Sequence, residues 1–429
     1  MSKKWLPKFL ATVLAAVSCV VFVPSAHADS FSWETPSALT GLAGYSASLS
    51  SDGSVMLIGE STTGLYLSTD TGTTFTQVSS PNVSGTRYAV AVSGDGNKMF
   101  AVNYNDSSVA YSLDRGATWS LNSNAVAKNA GAACMSSDGS VWMTGGLNSA
   151  NGYVSTNNGT TWSKITSIGL GSWRSCALNS NGTKRYFLNY GDNLWISNNS
   201  GTNWSQITYY IVGANCMAAT EDASLVIQSQ GIGSSSVYRS SNPSGGFSAY
   251  SNSGSGGSAY AGCAISGNGS TIAVGRVSNK VRLSVDSGTT WSDETALPNG
   301  QWNNVAISRD GKKMIALSNT ALGNFIGTYT PPMALTLGIG AAPVMNYRTQ
   351  NTVTAIANSP GKVTFFANGK RIGGCVAIPT VSLVATCQFK PTSHGVVALT
   401  ARIVPTNVNL STVTSKLFTT SVVRRSTSR

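Results

Sequence analysis

An all-β fold is predicted by three observations. Glycine supplies 45 of the 429 residues and charged residues only 10%, with Ser, Thr and Asn filling much of the remainder. That composition suits short strands joined by tight turns and is poor for long helices. A short Ser- and Gly-containing motif recurs at intervals of about 43 residues, the length of one small supersecondary unit. Around each copy apolar residues alternate with a period of two, as in Ala89-Val90-Ala91-Val92. The 9% aromatic content argues against disorder, and the length suggests two or three domains.

The N-terminal segment reads as an address. Lys3, Lys4 and Lys8 precede an apolar run over 9–23, and Ala26-His27-Ala28 offers small residues where a signal peptidase reads them. Residues 1–28 are therefore expected to be a secretory signal peptide cleaved before Asp29. The run is short and ends at Pro24, which disfavours a membrane anchor, and no other segment is apolar enough to span a bilayer. A lipid anchor on Cys19 is a subsidiary reading, weakened by Ala16 where such signals usually carry Leu. His394 is then the only histidine of the mature chain, so chemistry needing a histidine base is nearly excluded.

Two signatures define the repeat. Ser68-Thr69-Asp70-Thr71-Gly72-Thr73-Thr74-Phe75 reads S-x-D-x-G-x-T-F, and it returns at 112–119 with Asp114 and at 284–291 with Asp286. Copies at 155–162 and 197–204 carry Asn157 and Asn199 in place of Asp, and a worn copy spans 240–247. A second signature, Ser-x-Asp/Asn-Gly or a close variant, runs in phase at Asp52, Asp95, Asp138, Asn181, Asp222, Asn268 and Asp310. Each unit reads as four short strands with turn residues between them. The second signature has seven copies and the first six, and Phe31-Ser32-Trp33 lies in the phase of a fourth strand one repeat before Phe75. The expectation is a seven-bladed β-propeller over 29–330, its last blade completed by the N-terminal strand. Such closure removes exposed sheet edges.

The octet resembles the Asp-box, or bacterial neuraminidase repeat (BNR), of the sialidase-like and sortilin-like propeller superfamily. That superfamily also includes xyloglucan-active endoglucanases and the photosystem II assembly factor family. The resemblance implies a propeller and says little about function. It implies that Asp70, Asp114, Asn157, Asn199 and Asp286 are structural: Ser and Asp side chains bond local backbone, Gly supplies a positive φ and the aromatic packs inward.

The one–two and three–four turns of such a blade share one end of the ring. The other end receives the two–three loops and the inter-blade connections, where the sequence stops repeating, and such loops are natural binding sites. At the start of the innermost strands this end is expected to carry Tyr45, Arg87, Tyr88, Trp173, Arg174, Tyr260 and Trp302 as ligand-binding residues. Its two–three loops add Glu60, Tyr104, Asp106, Tyr190, Asp192 and Arg276. Aromatic faces beside polar groups suit a glycan or protein ligand. The competing reading places Trp173, Trp302 and the tyrosines between blades as packing.

An enzyme reading is a glycoside hydrolase, sialidase-like or endoglucanase-like, at the central depression. It needs two carboxylates about 5–9.5 Å apart. The spare acids are Glu60, Asp106, Asp192 and Glu221, each on a different blade. The R-I-P-type motif and early arginines implied by sialidase resemblance do not occur: no Arg stands between Asp29 and Gly85. A third reading, an assembly factor for a membrane complex, asks for more arginines on one face than Arg87, Arg174 and Arg276. No metal site or cofactor is expected, because the ring has no histidine and no carboxylate cluster.

Cys134, Cys176, Cys216 and Cys263 fall on the innermost strands of four consecutive blades. Cys134 and Cys216 are offset by one residue in opposite senses from the other two, so small buried thiols are expected. Inter-blade disulfides in an exported chain are the alternative.

Beyond Pro331-Pro332 the pattern changes. Strands are expected at 353–356, 362–366 and 397–402, with a hairpin turn at Asn368-Gly369. The run 361–373, with Thr386-Cys387-Gln388-Phe389, resembles bacterial Ig-like repeat domains of surface proteins, which implies a β-sandwich over 331–429. Cys375 and Cys387 flank a hairpin-sized interval and are expected to form a disulfide, worth about 3 kcal/mol. Residues 331–429 hold four Lys, six Arg and no Asp or Glu, whereas all 16 acids lie before them. This domain is expected to act as spacer or tether towards an anionic cell-envelope polymer. Nucleic acid is disfavoured, because no stacking aromatics interleave its charges.

Overall fold

The computed structural model describes residues 31–424 apart from 81–82, 84–87, 123–128, 149, 191–192, 209–212, 232–235, 252, 254–259, 321, 331–333, 340–343 and 407–411. The expected signal peptide, Arg87 and Asp192 lie outside the described residues. The chain divides into two compact units, one ending at Thr328 and one beginning at Tyr329. Among the described residues there is no α-helix, and two three-residue 3-10 turns are the only helical pieces.

The first unit is a β-propeller built from four-stranded sheets, of which the described residues form seven. Their inner strands are Gly44–Leu49, Tyr88–Val92, Ala130–Met135, Trp173–Leu178, Ala214–Ala219, Tyr260–Ile265 and Trp302–Ile307. The first six sheets run in chain order from inner to outer strand with antiparallel pairing, as in the fourth. In the seventh sheet the outermost place is taken by the N-terminal strand Phe31–Glu34, beside Asn324–Tyr329. The second strands Met56–Glu60 and Met99–Asn103 are buried throughout, because both faces of each sheet pack on a neighbouring sheet.

The inner ring is made of small residues. Its axial cavity, about 210 Å³, is lined by Ala47, Ala91, Ala133, Ala177, Ala218, Ala264 and Ala306, one from each inner strand. Large side chains lie further out, where the sheets diverge: Phe100 stacks on Trp142 with centroids 5.1 Å apart and planes 4° apart. The repeat-closing aromatics Phe75 and Trp119 are buried at 6% and 7% exposure.

The four central cysteines correct the expectation of free thiols. Cys134 is bonded to Cys176, joining the third and fourth sheets, and Cys216 to Cys263, joining the fifth and sixth. Alternate residues of a strand face opposite sides. A side chain aimed at the next sheet and one aimed back from it therefore sit at positions of opposite parity. The one-residue offset within each neighbouring pair is what turns the two Cβ atoms towards each other. Serines obey the same rule: Ser48 Oγ accepts from Val92 N, and Ser175 Oγ from Met217 N.

The second unit packs two sheets over one core. One contains Leu335–Ile339, Asn351–Ala357 and Val384–Phe389; the other is built around Gly395–Pro405, flanked by Gly361–Ala367 and Phe418–Val423. Val353, Phe365, Leu399 and Ile403 fill the space between them, together with the Cys375–Cys387 disulfide. Three disulfides in one chain are characteristic of an oxidising compartment. No described helix is long and apolar enough to cross a membrane.

Candidate functional site

The two ends of the ring are built differently. At one end, each octet is a closed hydrogen-bond unit. Ser68 Oγ donates to Asp70 Oδ1 at 2.7 Å and accepts from Gly72 N at 3.0 Å; Asp70 in turn accepts from Thr74 N and Thr74 Oγ1. Asp114 and Asp286 repeat this arrangement. Asn157 and Asn199 still accept from the Ser155 and Ser197 hydroxyls and from Thr161 N and Asn203 N, and Asn157 Nδ2 donates to Thr161 Oγ1. The hydrogen bonds from Thr74 and Ser68 pull the Asp70 carboxyl down to about 2. The glycine at 72 has φ +86°, and Thr71 before it is also left-handed at +63°, a conformation costly for a β-branched residue. The same holds at Arg115, Asn158, Ser200 and Ser287, so the local bonds fix two successive left-handed residues rather than one.

The Ser-x-Asp-Gly turns at this end are similarly occupied. Ser50 Oγ donates to Asp52 Oδ1, which also accepts from Ser54 N. Burial pushes the Asp52 carboxyl up, and these bonds outweigh it, for a net lowering. The residues between Ser and Gly then bond around the axis. Ser51 N donates to Gly94 O, Gly94 N to Ser137 O, Asp138 N to Ser180 O and Ser180 N to Glu221 O. Glu221 N donates to Gly267 O, Gly267 N to Arg309 O and Asp310 N back to Ser51 O, all at 2.7–3.0 Å. This end is a closed girdle of backbone hydrogen bonds.

The opposite end carries the non-repeating loops. A bulge interrupts pairing near the start of six inner strands, at Tyr45, Gly131, Arg174, Asn215, Ala261 and Asn303. Bulges re-aim side chains and recur beside functional sites. Tyr45, half-buried, donates from its hydroxyl to Ala130 O at 3.2 Å, reaching from the first sheet to the third. Its ring meets that of Tyr104 edge-on with centroids 6.4 Å apart. The exposed Arg174 guanidinium lies 4.6 Å over the ring of Tyr190, itself 45% exposed. These four residues form one aromatic pair and one cation–aromatic pair at this end.

The other candidates fall elsewhere. Trp173 and Trp302 are fully buried and pack on Phe187 and Phe325, with their indole N–H groups bonded to Ala150 O and Pro298 O. Gly145 makes this fit feasible: a Cβ there would come within 2.6 Å of the Trp173 Cβ. Both tryptophans are interior packing residues, which corrects their assignment to a binding face. Tyr88 and Tyr260 begin inner strands, but the placement of their side chains is outside the described set, as is all of Arg87. Arg276 is 0% exposed, bonded to Lys280 O and ion-paired with Asp293, which Arg282 shares.

The spare acids are not brought together. Glu60 is 1% exposed and accepts from the N–H groups of Ala43, Thr62 and Thr63. Burial raises its carboxyl and the Thr62 and Thr63 bonds lower it, for a net lowering. Asp106 caps its own loop through Ser108 N and Oγ. Glu221 lies on the girdle at the other end and pairs with Arg309 Nε at 3.2 Å. Asp192 lies outside the described residues. The described lining of the axial cavity holds no carboxylate, and no group of metal-ligating side chains occurs among the described residues.

No family model matches this chain, and no curated protein does. Solved structures do. YCF48 bound to D1 peptide superposes with a TM-score of 0.56 at 14% identity, over 72% of this chain and 97% of that one. The GH74 xyloglucanase from Xanthomonas campestris gives 0.54 at 14% identity, over 75% of this chain and 59% of that one. The WD40 repeats of RRP9 give 0.54 at 9% identity, over 70% of this chain and 100% of that one. At these identities the likeness concerns the fold alone: this chain is similar to β-propellers of differing function.

Proposed function

We propose that this chain is a secreted or cell-surface binding protein whose propeller holds a glycan or protein ligand on its loop end. The propeller is read as seven-bladed and Asp-box-built, closed by the N-terminal strand. The Ig-like sandwich acts as spacer and as tether to an anionic envelope polymer. One observation carries the reading: exposed Arg174 over Tyr190, on the end whose loops do not repeat, the end that also carries the Tyr45–Tyr104 pair. Tyr supplies a large, rigid contact area at low conformational cost, and both Tyr and Arg are enriched in binding hot spots. That one similar propeller is bound to a peptide and another is a xyloglucanase supports a ligand of either class.

The glycoside hydrolase reading has no comparable observation, since Glu60 and Asp106 are engaged in their own loops and Glu221 lies at the other end. The test is retention of the full mature chain on glycan and peptide arrays, with released products read by mass spectrometry. Retention that falls at least about tenfold in Arg174→Ala/Tyr190→Ala supports the proposal. Product release, or retention indifferent to that variant, goes against it.

A further inference from the structure

The second unit has no acid with which to neutralise its ten basic residues. Lys362, Lys370, Arg371 and Arg402 are distributed along strands, but one group of cations is organised. At the end of the sandwich where the loops after Asn346 and Phe389 meet the end of strand Phe418–Val423, Tyr347 N donates to Val423 O and Arg348 N to Pro391 O. These bonds draw together four side chains from three segments. The rings of Tyr347 and His394 lie with centroids 3.8 Å apart, the Arg348 guanidinium stands 5.2 Å over the Tyr347 ring, and Arg424 Nε lies 3.5 Å from His394 Nε2. The result is a contiguous cluster in which the Arg348 guanidinium covers Tyr347, Tyr347 meets the His394 ring and Arg424 Nε donates to the edge of that ring, with Arg348, His394 and Arg424 exposed. Arg348 is held at φ +54°, a left-handed conformation uncommon for arginine.

We infer that the Arg348–Tyr347–His394–Arg424 cluster is a binding site for a carboxylate-bearing sugar unit of an acidic polysaccharide. The inference rests on the tether role proposed above and gives it a place and a chemistry. A guanidinium matches a planar carboxylate through two parallel N–H···O bonds, which an ammonium cannot offer. The exposed His394 ring, propped on Tyr347 between the two guanidinium groups, supplies the apolar contact that a sugar ring takes from a protein. Exposed Gln350, Thr392 and Ser393 flank the cluster with groups able to bond sugar hydroxyls. Val396 and Val423 are the exposed aliphatics nearby, at 71% and 39%. Two short aliphatic chains among hydroxyl-bearing loops favour a sugar surface over the interior of a bilayer.

The probe is polygalacturonate, with dextran, dextran sulfate and phosphatidylglycerol vesicles as comparisons, all against the full mature chain. The inference expects polygalacturonate to be bound best. It expects Tyr347→Ala, which removes no cation, and Arg348→Asn/Arg424→Gln each to weaken that binding about tenfold. Asn tolerates the left-handed backbone at 348. Lys362→Gln/Arg402→Gln, on a strand pair elsewhere in the unit, removes the same charge and is expected to leave it within about twofold. Equal losses from both double variants, with no effect of Tyr347→Ala, would overturn the site and leave the diffuse tether standing. Vesicles bound better than polygalacturonate would overturn the choice of ligand. If no anionic probe is retained, the tether reading fails together with the site.

Discussion

The two ends of the propeller are made by the same sheets and differ in how their polar groups are used. At the turn end every carboxylate of the octets and of the Ser-x-Asp-Gly turns is consumed by bonds two or four residues away, and the girdle closes the backbone around the axis. At the loop end the bulges and two–three loops leave Tyr45, Tyr104, Arg174 and Tyr190 half-buried or exposed. A repeated carboxylate with local partners is architecture, and an unrepeated aromatic or arginine on a rigid rim is available for a partner.

The largest effect that sharpens this contrast lies just beneath the loop end. Trp173→Ala or Trp302→Ala removes a fully buried indole, and each should lower stability by about 3–5 kcal/mol in urea unfolding. An effect below about 1 kcal/mol would return these residues to the rim as contact groups. Next, Cys134→Ala/Cys176→Ala should cost about 2–4 kcal/mol, and thiol titration of the denatured wild type without reductant should find no free thiol among these four. A titratable pair would restore the free-thiol reading.

At the turn end the expected effects are smaller. Asp70→Ala should cost about 1 kcal/mol, and Asp70→Asn less than about half of that, since Asn157 and Asn199 already serve in the same turn. Its pH dependence follows from the lowered carboxyl. The folded value of about 2 lies below the ordinary value near 3.9, so the folded state favours the ionised form. The stabilisation is complete above about pH 4 and is lost as pH falls towards 2. The wild type should therefore lose stability over that window more steeply than Asp70→Asn. Parallel profiles would mean that Asp70 is not held by Thr74 and Ser68.

This contrast also explains what could be read in the sequence. The turn end rests on bonds between residues two to four apart, so Ser68, Asp70 and Gly72 announce themselves in one copy and repeat in the others. The placing of Phe31–Glu34 in the last sheet was legible for the same reason, through phase. Inter-sheet facts were not. Whether Cys134 meets Cys176 depends on which neighbour each strand face addresses, and a one-residue offset looks like misalignment until the ring is assembled. Trp173 and Arg174 are adjacent in sequence, yet one is 0% exposed and the other exposed, and Arg174 is the residue left unpaired by the bulge between Trp173 and Ser175. Arg276 opens a loop in the sequence but is drawn inward by Asp293, a partner on another strand of its sheet.

The smallest structural effect belongs to the residues given the functional role. Arg174→Ala/Tyr190→Ala should change stability by no more than about 0.5 kcal/mol, because both are surface residues, Tyr190 at 45% exposure, with no buried partner in the core. Its effect on binding therefore tests the central claim most directly. The measurement is the affinity of the full mature chain, wild type and variant, for whichever glycan or peptide the arrays retain, alongside unfolding of both proteins. The account predicts an affinity loss of at least about tenfold with unfolding unchanged. Undiminished binding by a folded variant would contradict it and move the site away from the loop end.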